Sequence, residues 1–281
     1  MLRVAVPNKG SLSEPSVQML REAGYRQRGD SKELALQDPE NATEFFYLRP
    51  RDIATYVGSG QLDVGITGRD LLLDSGVAAD EVLQLGFGSS TFRFATRPGT
   101  ARSVEEFAGL RIATSYPGVV SAHLQQRGVD AEVVRLDGAV ETSVQLGVAD
   151  VIADVVETGT TLHRAGLELV GEPILQSEAV LVQRRGAAAS PAVDQLVRRL
   201  TGVIVARSYV IFDYDVRSEL LDAACALTPG IESPTVAPLH DQGWVAVRAL
   251  VPRVETNKVM DELYELGARG ILVTDIHACR L

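Results

Sequence analysis

The chain has 281 residues, of which 46% are hydrophobic and 23% charged, a globular balance that excludes collagen-like, mucin-like and disordered chains. Its two cysteines, Cys225 and Cys279, exclude a disulfide framework and a cysteine-rich zinc site, and suit a reducing compartment, the cytoplasm. The 37 acidic residues outnumber 27 basic ones, so general nucleic-acid binding is disfavoured, although a few cations and a metal ion in one cleft can still hold a polyanion.

At ~150 residues per domain the length allows about two domains and a small third. MLRVAVPNKG reads as a first β-strand stopped by Pro7; its apolar run is too short for a signal peptide. No stretch approaches the ~18 uncharged apolar residues of a membrane span. GVIVARSYVIF comes nearest, and Arg207 interrupts it.

Ser11 or Ser13 is placed to cap the next helix, with Pro15 in its first turn. EFFYLRP is a strand ended by Pro50, RDIATYVGSG a short helix closed by glycines, and LDVGITG a strand. Strand, helix, strand points to a parallel α/β sheet. LGFGSSTFRFATRP alternates and reads as one long strand crossing between lobes. SVEEFAGL then reads as a helix, RIATSYP a strand, VVSAHLQQRG a helix, AEVVRLDG a strand, ETSVQLGVA a helix, VIADVV a strand and TTLHRAGL a helix. EAVLVQRR is a strand that can return to the first lobe. A weak echo, Gly60-Gln-Leu-Asp63-Val64 against Gly147-Val-Ala-Asp150-Val151, supports two similar lobes.

PAVDQLVRRLTGVIVAR (191–207) is an amphipathic helix. SYVIFDYDV, SELLDAACAL, PTVAPL, WVAVRALVP, TNKVMDELYELGA and GILVTDIHAC then give the order βαββαβ, a ferredoxin-like unit over about 208–281.

The chain carries no Walker A motif, no complete dinucleotide fingerprint and no G-x-S-x-G elbow. His123, His163, His240 and His277 have neither an i, i+4 partner nor a nearby cysteine pair, so they read as surface or packing residues.

The strongest local signal is VIADVVETGTTL, residues 151–162. An apolar strand runs into Glu157, Thr158, Gly159, Thr160 and Thr161 and then a helix. A strand end lies at the carboxyl edge of the sheet, where α/β proteins bind ligands. Gly159 allows a tight turn, the threonines supply hydroxyls, and the helix start supplies unpaired N–H groups, which together make an anion pocket. An ordinary threonine-capped helix is the plain alternative. Asp154 stands in an otherwise apolar strand, which is costly unless the carboxylate is paired or at the sheet edge, where it can meet ribose hydroxyls or a chelated metal. Asp70 holds a similar place after LDVGITGR, where a helix cap is the alternative. Gly138 turns the loop Asp137–Glu141, and Glu141 in the following first turn also suits the helix dipole.

VIADVVETGTTL resembles the phosphoribosyl-diphosphate (PRPP) loop of phosphoribosyltransferases, with the departure that its acidic residues Asp154 and Glu157 are separated. VPNKGSLSE, FFYLRPRDIATYV, GQLDVGITGRDLL, LGFGSSTFRFA, LDGAVETSVQLGVADVIADVV and TPGIESPTVAPL extend the likeness over the whole chain. Together they resemble the ATP phosphoribosyltransferase family in its long form, which catalyses the first step of histidine biosynthesis. The resemblance implies a catalytic part like the type II periplasmic binding proteins, lobe I being 1–88 with 179–207 and lobe II 89–178. It implies an ACT-like regulatory domain at 208–281, a homo-oligomer between dimer and hexamer, Mg²⁺ dependence with the metal held by substrate, and inhibition by L-histidine and AMP.

Carried onto this chain, the resemblance makes Asp154, Glu141, Lys9 and Arg49 catalytic, with Arg51 a further candidate for phosphate contact. Asp154, Glu157, Thr158, Gly159, Thr160 and Thr161 would hold PRPP. Asp70, Leu71, Lys9, Gly10 and Arg49 would hold ATP or AMP. Asp215, Ile231, Ser233, Thr235 and Gly270 would hold histidine. Two alternatives stay open: a prephenate dehydratase-like enzyme, whose Thr-Arg-Phe appears here out of order as Thr91-Phe92-Arg93-Phe94, and a non-catalytic two-lobed ligand sensor.

Overall fold

A computed structural model describes residues 1–30, 32–156 and 160–280, with the backbone alone for Thr161. It divides into two compact units, residues 1–21 with 25–193, and residues 22–24 with the chain from 194 onward.

The larger unit is built on two sheets. The chain begins with β1 (Leu2–Pro7), α1 (Ser13–Glu22), β2 (Ala35–Asp38), β3 (Thr43–Leu48), α2 (Pro50–Gly58), β4 (Val64–Gly68), α3 (Arg69–Ser75) and β5 (Ala79–Gln84). It then crosses to β6 (Ser90–Thr96), β7 (Arg111–Thr114), α4 (Pro117–Arg127), β8 (Glu132–Arg135), α5 (Thr142–Gln145), β9 (Val151–Val156), α6 (Thr160–Arg164) and β10 (Glu168–Ser177). It crosses back into β11 (Ala179–Arg184) and leaves through α7 (Pro191–Ser208). The first sheet has the order β2-β3-β1-β4-β11-β5 and the second β10-β6-β9-β7-β8. Each has a parallel core of three strands, β3-β1-β4 and β8-β7-β9, with the strand that enters from the other lobe, β11 or β6, antiparallel beside it. Two sheets joined by two crossings form the architecture of the type II periplasmic binding proteins.

The strands at the sheet centres are apolar because both faces are covered. All five residues of β4 are buried, as are Val180, Leu181 and Val182 of β11. The echo at Asp63 and Asp150 has a physical cause. Asp63 accepts the Arg3 N–H at 2.7 Å, and Asp150 accepts the Arg111 N–H at 3.0 Å. In each lobe an aspartate entering one core strand fixes the start of its parallel neighbour.

The smaller unit carries β12 (Tyr209–Arg217), α8 (Leu221–Leu227), β13 (Thr235–Pro238), β14 (Trp244–Pro252), α9 (Thr256–Leu266) and β15 (Arg269–Asp275). Its sheet order β13-β14-β12-β15, all antiparallel, is ferredoxin-like. Val210, Phe212, Tyr214 and Val216 of β12 alternate inward, packing with Ala224, Val259 and Leu263 from the helices.

Several element expectations are corrected. LGFGSSTFRFATRP is a strand only from Ser90, because Gly86 and Gly88 take left-handed φ of 71° and 68°. SVEEFAGL is one 3₁₀ turn, Val104–Phe107, with Val104 and Phe107 buried at the i, i+3 spacing of that helix. ETSVQLGVA keeps a helix only over Thr142–Gln145, and the last strand stops at Asp275. Ser13 does not cap α1; its hydroxyl donates to the Pro7 carbonyl at 2.9 Å. Pro50 opens α2 as well as ending the segment before it. The short strand β2, the strand β5 and the ten-residue β10 are additions to the expected elements.

Candidate active site

Parallel strands put their carboxyl ends on one edge, so the segments after β1, β4 and β9 are where a ligand meets both sheets. A cavity of about 170 Å³ lies there. The structure brings Lys9, Gly10, Asp70 and Leu71 together in its wall, with Ser90, Val155 and Ser177 from strands of the second sheet and Tyr116 from the segment after β7.

Asp70 is 7% exposed, and it is not a helix cap: Gly68 holds that position and α3 starts at Arg69. Its carboxylate accepts the Ser177 hydroxyl at 2.8 Å, while its N–H donates to the same oxygen at 3.1 Å. A Cβ on Gly68 would collide with Asp70 Oδ1, so only glycine leaves the carboxylate its place.

Asp154 lies one residue before Val155 on β9 and accepts the Val155 N–H at 2.7 Å. Burial holds its carboxyl above the ordinary aspartate range against that N–H, and the charges of Glu141 and Asp70 push the same way. Three carboxylates, each singled out from sequence, therefore act on one region. Glu141 stands at the N-cap of α5 without a capping hydrogen bond, beside Gly138 and Ala139, both at positive φ (114° and 47°).

Tyr116, Arg51 and Asp74 are not tied together by the sequence. Tyr116 follows β7, and its ring packs on Phe92 with centroids 5.1 Å apart. The Arg51 guanidinium lies over that ring at 4.9 Å. Burial, with the neighbouring Asp70 carboxylate, pushes the phenol far above its usual range, so Tyr116 stays protonated beside Asp70. Arg51 also pairs with Asp74 at 2.8 Å, which gives it a partner other than phosphate. The only signal for Tyr116 is an aromatic residue directly before Pro117 at a strand's carboxyl end.

Asp74 joins the lobes. It sits on α3 of the first, yet accepts the Gly118 N–H at 2.8 Å at the start of α4 in the second. Tyr116, the N-cap of α4, supplies no side-chain cap, so Asp74 takes over that role from across the cleft. A Cβ at position 118 would meet the Asp74 carbonyl oxygen at 2.5 Å, so glycine permits the approach. Asp74→Ala is expected to cost about 1–2 kcal/mol, the worth of a lost cap. Asp74→Asn, which keeps an oxygen for the cap, is expected to recover most of it; thermal melting of both variants checks this.

The remaining residues are more dispersed. Arg49 precedes α2 in extended backbone. Glu157, Thr158 and Gly159 lie outside the described residues, as does the Thr161 side chain. Thr160 starts α6 and lines a separate cavity of about 880 Å³ with His163 and Arg164, which holds none of the three carboxylates. His123 packs on Phe94 at 5.7 Å. Among the described residues no three His, Cys, Asp or Glu side chains are grouped to hold a metal ion.

In the smaller unit, Gly270 (φ 60°) backs onto Asp215, whose Oδ2 would stand 3.5 Å from a Cβ there. Thr235 pairs with Arg248, which pairs with Asp213, so Thr235 and Asp215 share a sheet face. Ile231 and Ser233 are exposed in the loop before β13. That loop starts at Thr228, fully buried with its hydroxyl 2.7 Å from the Tyr214 hydroxyl.

The described site has relatives. Residues 49–202 match the ATP phosphoribosyltransferase family model, and residues 206–278 match the model of that family's C-terminal domain. The chain belongs to the ATP phosphoribosyltransferase family. It is 65% identical over 285 residues to the ATP phosphoribosyltransferase of Streptomyces avermitilis and 62% identical over 283 residues to that of Micrococcus luteus, both chains being covered completely in each case. The solved ATP phosphoribosyl transferase (HisG:HisZ) complex from Thermotoga maritima superposes with a TM-score of 0.64 at 26% identity, covering 73% of this chain and 98% of that one. Family membership makes the chain a phosphoribosyl-transferring enzyme and sets aside the dehydratase-like and sensor readings. No helix among the described residues is long and apolar enough to cross a membrane.

Proposed function

We propose that this ATP phosphoribosyltransferase joins N1 of ATP to C1 of PRPP, releasing pyrophosphate, as the first committed step of histidine biosynthesis. The observation that carries the reading is a cleft between two sheets with Asp70 in its wall, beside a buried Asp154 that feels the charges of Asp70 and Glu141, in a chain of this family.

Adenine N1 is neutral and carries a lone pair, so the reaction needs no strong base. The ribose carbon becomes oxocarbenium-like as the leaving group gains charge. Alignment and fixed electrostatics supply the catalysis. In this reading Thr158, Thr160 and Thr161, with Gly159, hold the 5′-phosphate of PRPP, and Glu157 borders it. Asp154 takes the ribose hydroxyls, and its charge favours the cationic carbon. Glu141 and Asp70 face the ribose or ATP, with Leu71 and Gly10 against the nucleotide. Lys9 and Arg49 meet the phosphates; the Arg51 pairing with Asp74 favours an anchoring role for Arg51 instead. Closure of the lobes keeps water from PRPP.

Mg²⁺ would offset phosphate charge on both substrates. The residues fit a cation that arrives chelated by substrate: carboxylates border the cleft, but among the described residues none are grouped as a three-ligand cage.

The domain assignment follows: lobe I at 1–88 with 179–207, lobe II at 89–178 and a regulatory domain at 208–281. L-histidine binds the last through Asp215, Ser233, Thr235, Gly270 and Ile231, and favours a less active arrangement of a homo-oligomer, a dimer up to a hexamer. AMP competes at the nucleotide subsite, and the enzyme works in the cytoplasm, where Cys225 and Cys279 stay reduced.

Pyrophosphate release with ATP, PRPP and Mg²⁺ tests this. Release is expected only with both substrates and should fall when L-histidine is added. Release insensitive to histidine would remove the regulatory assignment; no release from folded protein would remove the catalytic one.

A further inference from the structure

We infer that Ser177 is a positioning residue for the nucleotide subsite, acting through Asp70; this deepens the reading above, since it rests on Asp70 facing ATP. Ser177 is the last residue of β10, paired with Ser90 of β6, just before the chain crosses back from the second sheet to the first. It is 5% exposed, and its oxygen makes two hydrogen bonds to one residue. It accepts the Asp70 N–H at 3.1 Å and donates to Asp70 Oδ1 at 2.8 Å. A hydroxyl can do both at once, and alanine can do neither. The carboxylate is thus bounded on one side by Ser177 and on another by the space that Gly68 leaves open.

The crossing itself is stitched to the start of α3. Arg69 N–H donates to the Glu178 carbonyl at 3.0 Å, and the Arg69 guanidinium reaches the Gln176 carbonyl at 3.2 Å and Glu178 Oε1 at 3.2 Å. The other crossing is tied to the same place, since Ala179 N–H donates to Phe87 O at 2.9 Å and Leu85 N–H to Ala179 O at 3.0 Å. Asp70 is therefore referenced to the paired crossings about which two lobes of this kind rotate. Its other partner, Tyr116, belongs to the second lobe. Through these two bonds Ser177 holds the Asp70 carboxylate in the wall of the cleft.

A buried serine that merely holds two segments together would give the same bonds, so the test separates the two roles. Steady-state kinetics are measured for the wild type, Ser177→Ala, Asp70→Asn and the double variant. Loss of a hydrogen bond to a buried carboxylate is expected to raise KM for ATP about tenfold in Ser177→Ala. KM for PRPP should change less than KM for ATP, because Asp70 reaches the PRPP side only through its charge on Asp154. In the Asp70→Asn background the serine change should add less than about twofold, since the group it positions is already altered. If Ser177→Ala does not fold, Ser177→Cys, similar in volume with a weak donor, serves in the same cycle.

The proposal is overturned if the serine change leaves KM for ATP unaltered. It is also overturned if that change moves both KM values and kcat together, by the same factor in the wild-type and Asp70→Asn backgrounds; Ser177 would then be structural only. If Asp70→Asn alone leaves KM for ATP unchanged, the nucleotide assignment of Asp70 fails, and this proposal with it.

Discussion

Asp154→Asn is expected to lower turnover by at least ~10²-fold, the scale of removing one fixed electrostatic contact to a transition state. The fold should survive the change. Burial, with the charges of Glu141 and Asp70, raises the Asp154 pKa above that of the unfolded chain. A raised carboxyl contributes stability that is fully present below the ordinary aspartate pKa and lost as pH rises through the raised value. At neutral pH the ionised group therefore works against folding, and an uncharged amide of the same shape relieves that. The variant is expected to melt at the wild-type temperature or above it while turning over poorly. The same shift sets a pH dependence. Turnover needs the ionised form, so the acid limb of the wild-type profile should lie above the ordinary aspartate range. Kinetics across pH and melting at neutral pH check both halves. Full activity in Asp154→Asn would end its assignment to the ribose.

The second large effect concerns regulation. Asp215→Ala is expected to raise the histidine concentration for half-inhibition by at least about thirtyfold, as removal of one charged partner from a bound ligand does. Turnover without histidine should be unchanged. The change is expected to spare the fold, because Asp215 lies on the β12 face opposite the packed Tyr214 and Val216. Inhibition curves for wild type and variant decide it. An unshifted curve would move the histidine site away from Asp215 and Gly270.

Much of this molecule is legible from its residues, and the limits have physical causes. Alternating α/β order and the βαββαβ tail follow from apolar periodicity, which the sheets reproduce because each strand must bury its inward side chains. Asp154 and Asp70 stand out because carboxylates are rare in apolar strands and at their ends. The five-residue echo proves to be two aspartates doing the same backbone job in two lobes. What stays hidden depends on contacts distant in sequence. Ser177 is 107 residues from Asp70, and Asp74 is 44 from the Gly118 N–H it caps. Tyr116 is only an aromatic residue before a proline until Arg51 and Asp70 are placed around it. The glycines at 86 and 88, inside what alternation reads as one long strand, delay its start. A helix reading of SVEEFAGL fails because Val104 and Phe107 satisfy their burial in a single turn.

If one cleft transfers a phosphoribosyl group onto intact ATP, the products must balance one to one. The most direct test is product stoichiometry, by mass spectrometry of the nucleotide fraction with pyrophosphate measured in parallel. One adduct of ATP carrying a single phosphoribosyl group is expected for each pyrophosphate released and each PRPP consumed. Pyrophosphate release with no ATP adduct, or an adduct that has lost its triphosphate, would contradict it.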